Sequence, residues 1–252
     1  MSQPVRHVYP LFYQLPPSMK VLFTNVLIMF GFAYILGLVQ IYSVHGHEDG
    51  QPGLSVHDIQ IAYRGSADHT RLEAALRGPM SGMLPGFEAQ QIIHWIHAGA
   101  KEAEFKSTVQ PILQNRCLGC HDGNSPGLPK LVEYQDVSEV TQSDHGVSIT
   151  TLVRVSHIHL FGLTVVFAVV GFIFSHAYVK WKYVKSAIMT IPFLAIFLDI
   201  ASWWLTKWGS PLFGYAVMIG GGLMAVSFAF QWVVSMYQMW FFKCPSEECP
   251  ID

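Results

Sequence analysis

Four long apolar stretches constrain the fold of this chain more than any other feature. A helix needs about 20 apolar residues to cross a bilayer, and four segments reach that length with at most one acidic residue each. The chain is 51% hydrophobic and 13% charged, whereas about a quarter of the residues are charged in an ordinary soluble domain. The sequence therefore predicts an all-α protein with transmembrane helices at residues 21–44, 151–179, 186–206 and 210–242.

The segments between these spans predict an orientation. Short cytoplasmic loops collect Lys and Arg, and the segment KWKYVK at 180–185 contains three lysines. With that loop inside, residues 1–20 and 243–252 are cytoplasmic, and residues 45–150 form a domain on the outer face, inserted between the first two spans. We expect a multi-pass protein of a bacterial cytoplasmic membrane whose inserted domain is periplasmic.

The inserted domain contains the sequence RCLGCH, in which Cys117, Cys120 and His121 follow the spacing C-x-x-C-H. This is the attachment signature of a c-type heme. The two thiols form thioethers with the porphyrin vinyl groups, and the imidazole binds the iron. The alternatives are a disulfide or half of a zinc site, but a zinc site needs a second ligand pair, and this domain has no other cysteine. The motif predicts one covalent heme c with His121 as the proximal iron ligand.

Around this motif the chain resembles the class I cytochrome c family, over roughly residues 54–135. FKSTVQPILQNRCLGCH, at 105–121, is similar to the family's opening helix and heme motif, although Pro111 interrupts the helical pattern. GPMSGMLPGFEAQQIIHWIHAGA, at 78–100, is similar to the family's methionine loop and closing helix. In the family those two pieces come after the heme motif, whereas here they come before it.

Two interpretations fit this exchanged order. In one, the small helical cytochrome domain is circularly permuted, and the short segment GAKEAEF joins its closing helix to its opening helix. In the other, residues 54–100 are a degenerate cytochrome followed by a truncated one. We favour permutation, because only 29 residues separate His121 from Thr151 and no methionine occurs between Met83 and Met189.

The resemblance implies a distal iron ligand upstream of the motif. Met83, set in GMLPG as the family's ligand is, is the first candidate. Met80, in the same loop, and His145, between the motif and the second span, are the alternatives. A thioether ligand raises the reduction potential of the iron, whereas a second imidazole lowers it.

Further polar residues lie at the predicted outer membrane boundary. They are His45 and His47 after the first span, His157 and His159 at the start of the second, and Asp199 inside the third. Histidines from two helices could hold a heme b or a metal ion, contact a quinol, or simply bond headgroups and water. An acid inside a membrane suggests function, but Asp199 could equally serve packing.

These observations favour a membrane-bound monoheme c-type cytochrome that transfers single electrons on the outer face. One span would suffice as an anchor, so the other three indicate docking to integral-membrane redox subunits of a respiratory or photosynthetic complex, with soluble electron carriers as further partners. A quinol-oxidising subunit with a second cofactor at the outer histidines is the alternative, and a heme-based redox or gas sensor is a third possibility. A net charge of −2 without a basic aromatic run excludes a nucleic-acid partner.

Overall fold

The computed structural model describes residues 10–46, 48–49, 51–66, 70–125 and 128–242. Within these residues the secondary structure is helical, without β-strands, and consists of a short 3₁₀ turn at Phe12–Gln14 and ten α-helices, one of them extended by a π-helical turn. The helices are α1 (Pro17–His45), α2 (Val56–Arg64), α3 (Arg71–Arg77), α4 (Gly86–His97), α5 (Glu102–Glu104), α6 (Gln110–Arg116), α7 (Tyr134–Val140), α8 (Ile149–Phe174), α9 (Lys182–Trp208) and α10 (Phe213–Trp240).

The chain divides into two compact units. The membrane unit comprises Met1–Leu38, Val153–Ser202 and Tyr215–Asp252, and the extramembrane unit comprises Val39–Leu152 and Trp203–Gly214. Four helices, α1, α8, α9 and α10, are long and apolar enough to cross a membrane. The four predicted spans therefore correspond to four helices, and the chain is a multi-pass membrane protein.

The second span is shorter than predicted, since α8 ends at Phe174 and not near residue 179. After the helix, the backbone carbonyl of His176 accepts a hydrogen bond from Phe12 N at 2.9 Å, and its Nδ1 lies 2.7 Å from the Pro10 carbonyl oxygen. With these bonds the chain leaves the helical path after Phe174. The uninterrupted apolar sequence does not show this change of direction.

Indole N–H groups connect α10 to α1 within the membrane unit. Trp232 Nε1 donates to the Leu27 carbonyl oxygen at 2.7 Å, and Trp240 Nε1 donates to Thr24 Oγ1 at 2.9 Å. A side chain at Gly31 would crowd the Trp232 ring, since an added Cβ would lie 3.1 Å from Nε1. An indole N–H group that finds a hydrogen-bond partner is stabilising in an environment without water.

The extramembrane unit has its own hydrophobic core, to which α3, α4, α6 and α7 contribute. Trp95 on α4 packs on Phe105 with ring centroids 5.8 Å apart, and its Nε1 donates to the Lys101 carbonyl oxygen at 3.0 Å. The helix that carries Phe105 is π-helical over Phe105–Val109 and resumes as α6, with Pro111 near its start. The π-helical turn accommodates the proline, which lacks a backbone donor.

The link between α9 and α10 packs on α2 within the same unit. Gln60 Nε2 donates to the Pro211 carbonyl oxygen at 2.9 Å, Arg64 donates to the Gly209 carbonyl oxygen at 3.1 Å, and Lys207 Nζ donates to the His145 carbonyl oxygen at 3.0 Å. The α9–α10 link therefore lies on the same side of the membrane as α2. This is the topology expected when each of the four long helices crosses once.

Candidate functional site

The C-x-x-C-H sequence forms a tight turn at the C-terminal end of α6. Cys117 N donates to the Leu113 carbonyl oxygen at 2.8 Å, and the backbone N–H groups of Cys120 and His121 both donate to the Cys117 carbonyl oxygen, at 3.1 and 2.9 Å. Cys117 is half-buried, Cys120 is exposed, and both thiols are free. Burial, and then the charge of Glu88, raise the pKa of the Cys117 thiol.

A backbone carbonyl holds the imidazole of His121. Its Nδ1 lies 2.8 Å from the Pro129 carbonyl oxygen, and because a carbonyl only accepts, Nδ1 must carry the proton. In the neutral form of the ring Nε2 then carries the lone pair, which is the usual arrangement of a metal-binding histidine oriented by a second partner. Leu131 N donates to the His121 carbonyl oxygen at 3.0 Å and fixes the same segment. The sequence alone did not predict that the Pro129 carbonyl would bond His121. The only sign of it was the Gly/Pro-rich stretch that follows the motif.

A cavity of about 340 Å³ opens beside this turn. Cys117, Cys120 and His121 line it together with Met80 and Met83 from the loop before α4. The rest of its wall is largely aliphatic and includes Leu72, Leu76, Leu84, Leu113, Leu131 and Val140. A largely apolar cavity with a few convergent polar groups is the usual form of a cofactor site.

The structure places the three candidate distal ligands differently. Met80 is half-buried and Met83 is 63% exposed, and both line the cavity. Met83 N donates to the Met80 carbonyl oxygen at 3.0 Å, so one turn carries both thioethers. His145 does not line the cavity; its carbonyl oxygen accepts from Lys207, and its side chain is exposed. Met80 and Met83 therefore lie at the same cavity as the C-x-x-C-H sequence, and His145 does not.

Two arginines also line the cavity. Arg116 donates to both carboxylate oxygens of Glu88, from Nε at 2.9 Å and from Nη2 at 3.1 Å, so its charge is neutralised locally. Arg71 is exposed and forms no ion pair with any described residue. Its positive charge lowers the pKa of Asp144, but burial of that carboxyl group raises the pKa by more. Arg71 therefore supplies a cation to the wall of the cavity. No sequence pattern singled it out.

The histidines predicted at the membrane boundary form no metal site that the structure describes. Nowhere in the described ranges are three or more His, Cys, Asp or Glu side chains placed to hold a metal ion. His45 ends α1, His47 lies outside the described residues, and His157 and His159 are exposed on α8. His157 packs on Phe161 with ring centroids 4.9 Å apart, and His159 Nδ1 lies 2.9 Å from the Val155 carbonyl oxygen.

Asp199 lies within the helix packing of the membrane unit. It is 6% exposed and interacts with other residues of the chain. Gly220 on α10 approaches it closely, because a Cβ added at Gly220 would lie 2.9 Å from the Cβ of Asp199 and 3.1 Å from its Cα. The helix α10 continues without interruption through the glycine run at 220–222. At Gly220 the sequence allows two helices to pack closely.

The fold and the site define a multi-pass membrane protein with a small helical extramembrane unit that contains a C-x-x-C-H cavity. A family model described as a transmembrane helical domain, Aq_1264_TM, matches residues 130–246. This match covers α7 to α10, is less than half of the chain, and begins after the C-x-x-C-H sequence. No curated protein and no solved structure matches the chain.

Proposed function

We propose that this chain is a membrane-bound monoheme c-type cytochrome that transfers single electrons on the outer face of a bacterial cytoplasmic membrane. The observation that carries the proposal is the shared cavity: the cysteines and histidine of C-x-x-C-H line it together with Met80 and Met83. Those methionines lie 34 or more residues before the motif in sequence. Their convergence on one cavity supports a permuted cytochrome domain over two incomplete ones.

The residues of the cavity fit a heme. Cys117 and Cys120 are free thiols that would form the two thioethers, and His121 would bind the iron through Nε2. Met83 would supply the second protein ligand of the iron, with Met80 as the alternative. Iron in such a site alternates between its ferrous and ferric states and so carries one electron at a time.

The remaining side chains tune the site. The aliphatic wall excludes water and lowers the local dielectric constant, which favours the less charged ferrous state. The Pro129 carbonyl keeps the ring of His121 in one orientation. Arg71 would offset the negative charge of the heme propionates, since Arg116 is already paired with Glu88.

The membrane unit supports a role as a subunit of a larger complex. One helix would tether a cytochrome domain, whereas the described residues form four helices that are long and apolar enough to cross a membrane. We therefore propose integral-membrane redox proteins and soluble electron carriers as its partners. The lysine-containing segment at 180–185 supports a cytoplasmic position for the α8–α9 link, and we therefore propose the periplasmic side for the extramembrane unit. The proposed role is electron transfer, and no residue is assigned as catalytic.

The test is to purify the chain from membranes in mild detergent and to measure covalent heme per chain and the optical spectrum. We expect one heme c, its loss in Cys117→Ser and Cys120→Ser, and its retention in a control variant, Cys249→Ser, in the C-terminal tail. Absence of covalent heme from the unmodified protein would refute the proposal. A b-type band beside the c-type band would favour the quinol-oxidising alternative.

The same preparation tests whether the chain is a subunit of a larger complex. Co-purifying redox subunits are expected, and their identification by mass spectrometry would name the complex. A pure single chain that still carries heme would contradict the role as a subunit and leave a tethered electron carrier.

A further inference from the structure

Two buried polar atoms of the membrane unit have no hydrogen-bond partner in the described part of the chain. They are Oε1 of Gln231 and Oγ of Ser235, which belong to residues that are both 0% exposed. The residues are four apart on α10 and therefore share one face of the helix. Gln238, further along the same helix, contrasts with them, because its side-chain amide bonds both the N–H and the carbonyl of Tyr178, at 2.7 and 3.0 Å.

The nitrogen of the Gln231 side-chain amide forms a hydrogen bond, and this bond fixes the direction of Oε1. Nε2 donates to the carbonyl oxygen of Ile188 on α9 at 3.1 Å, so the amide cannot be turned round without losing this bond. Oε1 faces Gly171 on α8, where an added Cβ would lie 3.8 Å from it. The oxygen therefore faces a residue that has no side chain to fill the adjacent space.

Unpaired polar atoms are costly inside a membrane protein, where no bulk water reaches them. Buried polar groups are almost always bonded to the protein or to an ordered water, and such waters make about three hydrogen bonds each. One turn of helix spans about 5.4 Å. A single water with two hydrogen bonds of about 2.8 Å each, at a near-tetrahedral angle, bridges oxygens about 4.6 Å apart, and side chains four residues apart on a helix can approach that closely.

We propose that Gln231 Oε1 and Ser235 Oγ bind one internal water molecule between α8 and α10. The water donates one hydrogen bond to Oε1 and forms a second with the Ser235 hydroxyl, which can donate or accept. Both side chains are neutral, and two oxygens are too few for Ca²⁺ or Mg²⁺, which take six or more oxygen ligands. The site is independent of the proposed heme.

The test is infrared spectroscopy of the purified full chain in H₂¹⁶O and H₂¹⁸O. We expect an isotope-sensitive O–H stretching band of an isolated water, and we expect Ser235→Ala to remove or shift it. Ser202→Ala is the matched control, because Ser202 is equally buried in the same unit and already has interactions within the chain; it should leave the band unchanged. A spectrum in which Ser235→Ala changes no isotope-sensitive band overturns the proposal.

Thermal unfolding gives a second test, because the change in unfolding temperature caused by Ser235→Ala differs in sign depending on whether a water is bound. If a water bridges the pair, Ser235→Ala strands Gln231 Oε1 and lowers the unfolding temperature by a few degrees. If the hydroxyl has no partner, removing it relieves a buried unsatisfied group, and the unfolding temperature stays the same or rises. That second result would also overturn the proposal.

Discussion

Gln231 Nε2 donates a hydrogen bond to the carbonyl oxygen of Ile188 at 3.1 Å. Ile188 precedes Pro192, the proline inside α9, by four residues. In an unbroken helix that carbonyl would accept from the N–H of residue 192, but proline has none. The amide on α10 therefore replaces a hydrogen bond that the sequence of α9 removes, and it holds the two helices together at this point.

Gln231→Leu should lower the free energy of unfolding by about 1 kcal/mol, the range measured for interhelical hydrogen bonds in membranes. The loss should be smaller in a Pro192→Ala background, because alanine restores the N–H that Ile188 needs. Denaturant unfolding of the two single variants and the double variant in one detergent measures this coupling. Strictly additive losses would contradict the assigned pairing.

Gly220→Ala should destabilise the membrane unit by about 1–3 kcal/mol, the usual cost of overpacking. The added methyl group would lie 2.9–3.2 Å from atoms of Asp199, two of which are backbone atoms that cannot move aside easily. Gly221→Ala is the matched control, since a Cβ there meets nothing within 4 Å, and alanine favours the helix. The comparison of their unfolding temperatures checks the prediction, and equal effects would refute it.

Sequence reasoning found the features that depend on local pattern. The four long helices follow from the length of apolar sequence that a bilayer requires. The C-x-x-C-H motif is recognised from the spacing of residues that are close together in the sequence. The cavity brings together residues that are distant in sequence, since Arg71 and His121 both line it. Single-sequence periodicity does not report such contacts. Gly220 shows a related limit, because a glycine that suggests flexibility can equally mark close packing.

The proposed heme gives a direct test of the distal ligand. Ferric heme with an axial methionine shows a weak near-infrared band, so Met83→Ala should abolish that band and lower the reduction potential. Met80→Ala should leave the band in place. If the band survives Met83→Ala and disappears in Met80→Ala, the other thioether of the same loop is the ligand. Survival in both variants would remove the main support for the permuted arrangement.

Arg71→Gln should lower the reduction potential of the same heme by tens of millivolts, because removing a nearby cation stabilises the ferric state. Arg116→Gln should have a smaller effect, since Glu88 already offsets its charge. Redox titration of both variants at low and high salt measures the difference, and salt should reduce the Arg71 effect because the side chain is exposed. Equal shifts in the two variants would contradict the distinction between Arg116, which is paired with Glu88, and Arg71, which forms no ion pair with a described residue.

Glu48, in the turn after α1, should make stability depend on pH. It is 6% exposed, and burial, together with the charges of Asp144 and Asp58, raises the pKa of Glu48 from 4.5 to about 8. Between those values the folded chain holds a proton that the unfolded chain has released. The free energy of unfolding should therefore fall with rising pH, by about 1.4 kcal/mol per pH unit from this group, and level off above about pH 8.

Glu48→Gln keeps the shape of the side chain and cannot ionise, so its unfolding temperature should exceed that of the unmodified chain at pH 8 and change less between pH 5 and 8. Glu102→Gln, which alters an exposed carboxyl group paired with Lys106, should follow the pH profile of the unmodified chain. Thermal unfolding in one detergent across pH 5–9 provides the comparison. A Glu48→Gln profile parallel to that of the unmodified chain would show that this carboxyl group does not hold its proton in the folded state. The slope would then have to come from other groups, of which Asp144 is the first to test, since burial raises its pKa as well.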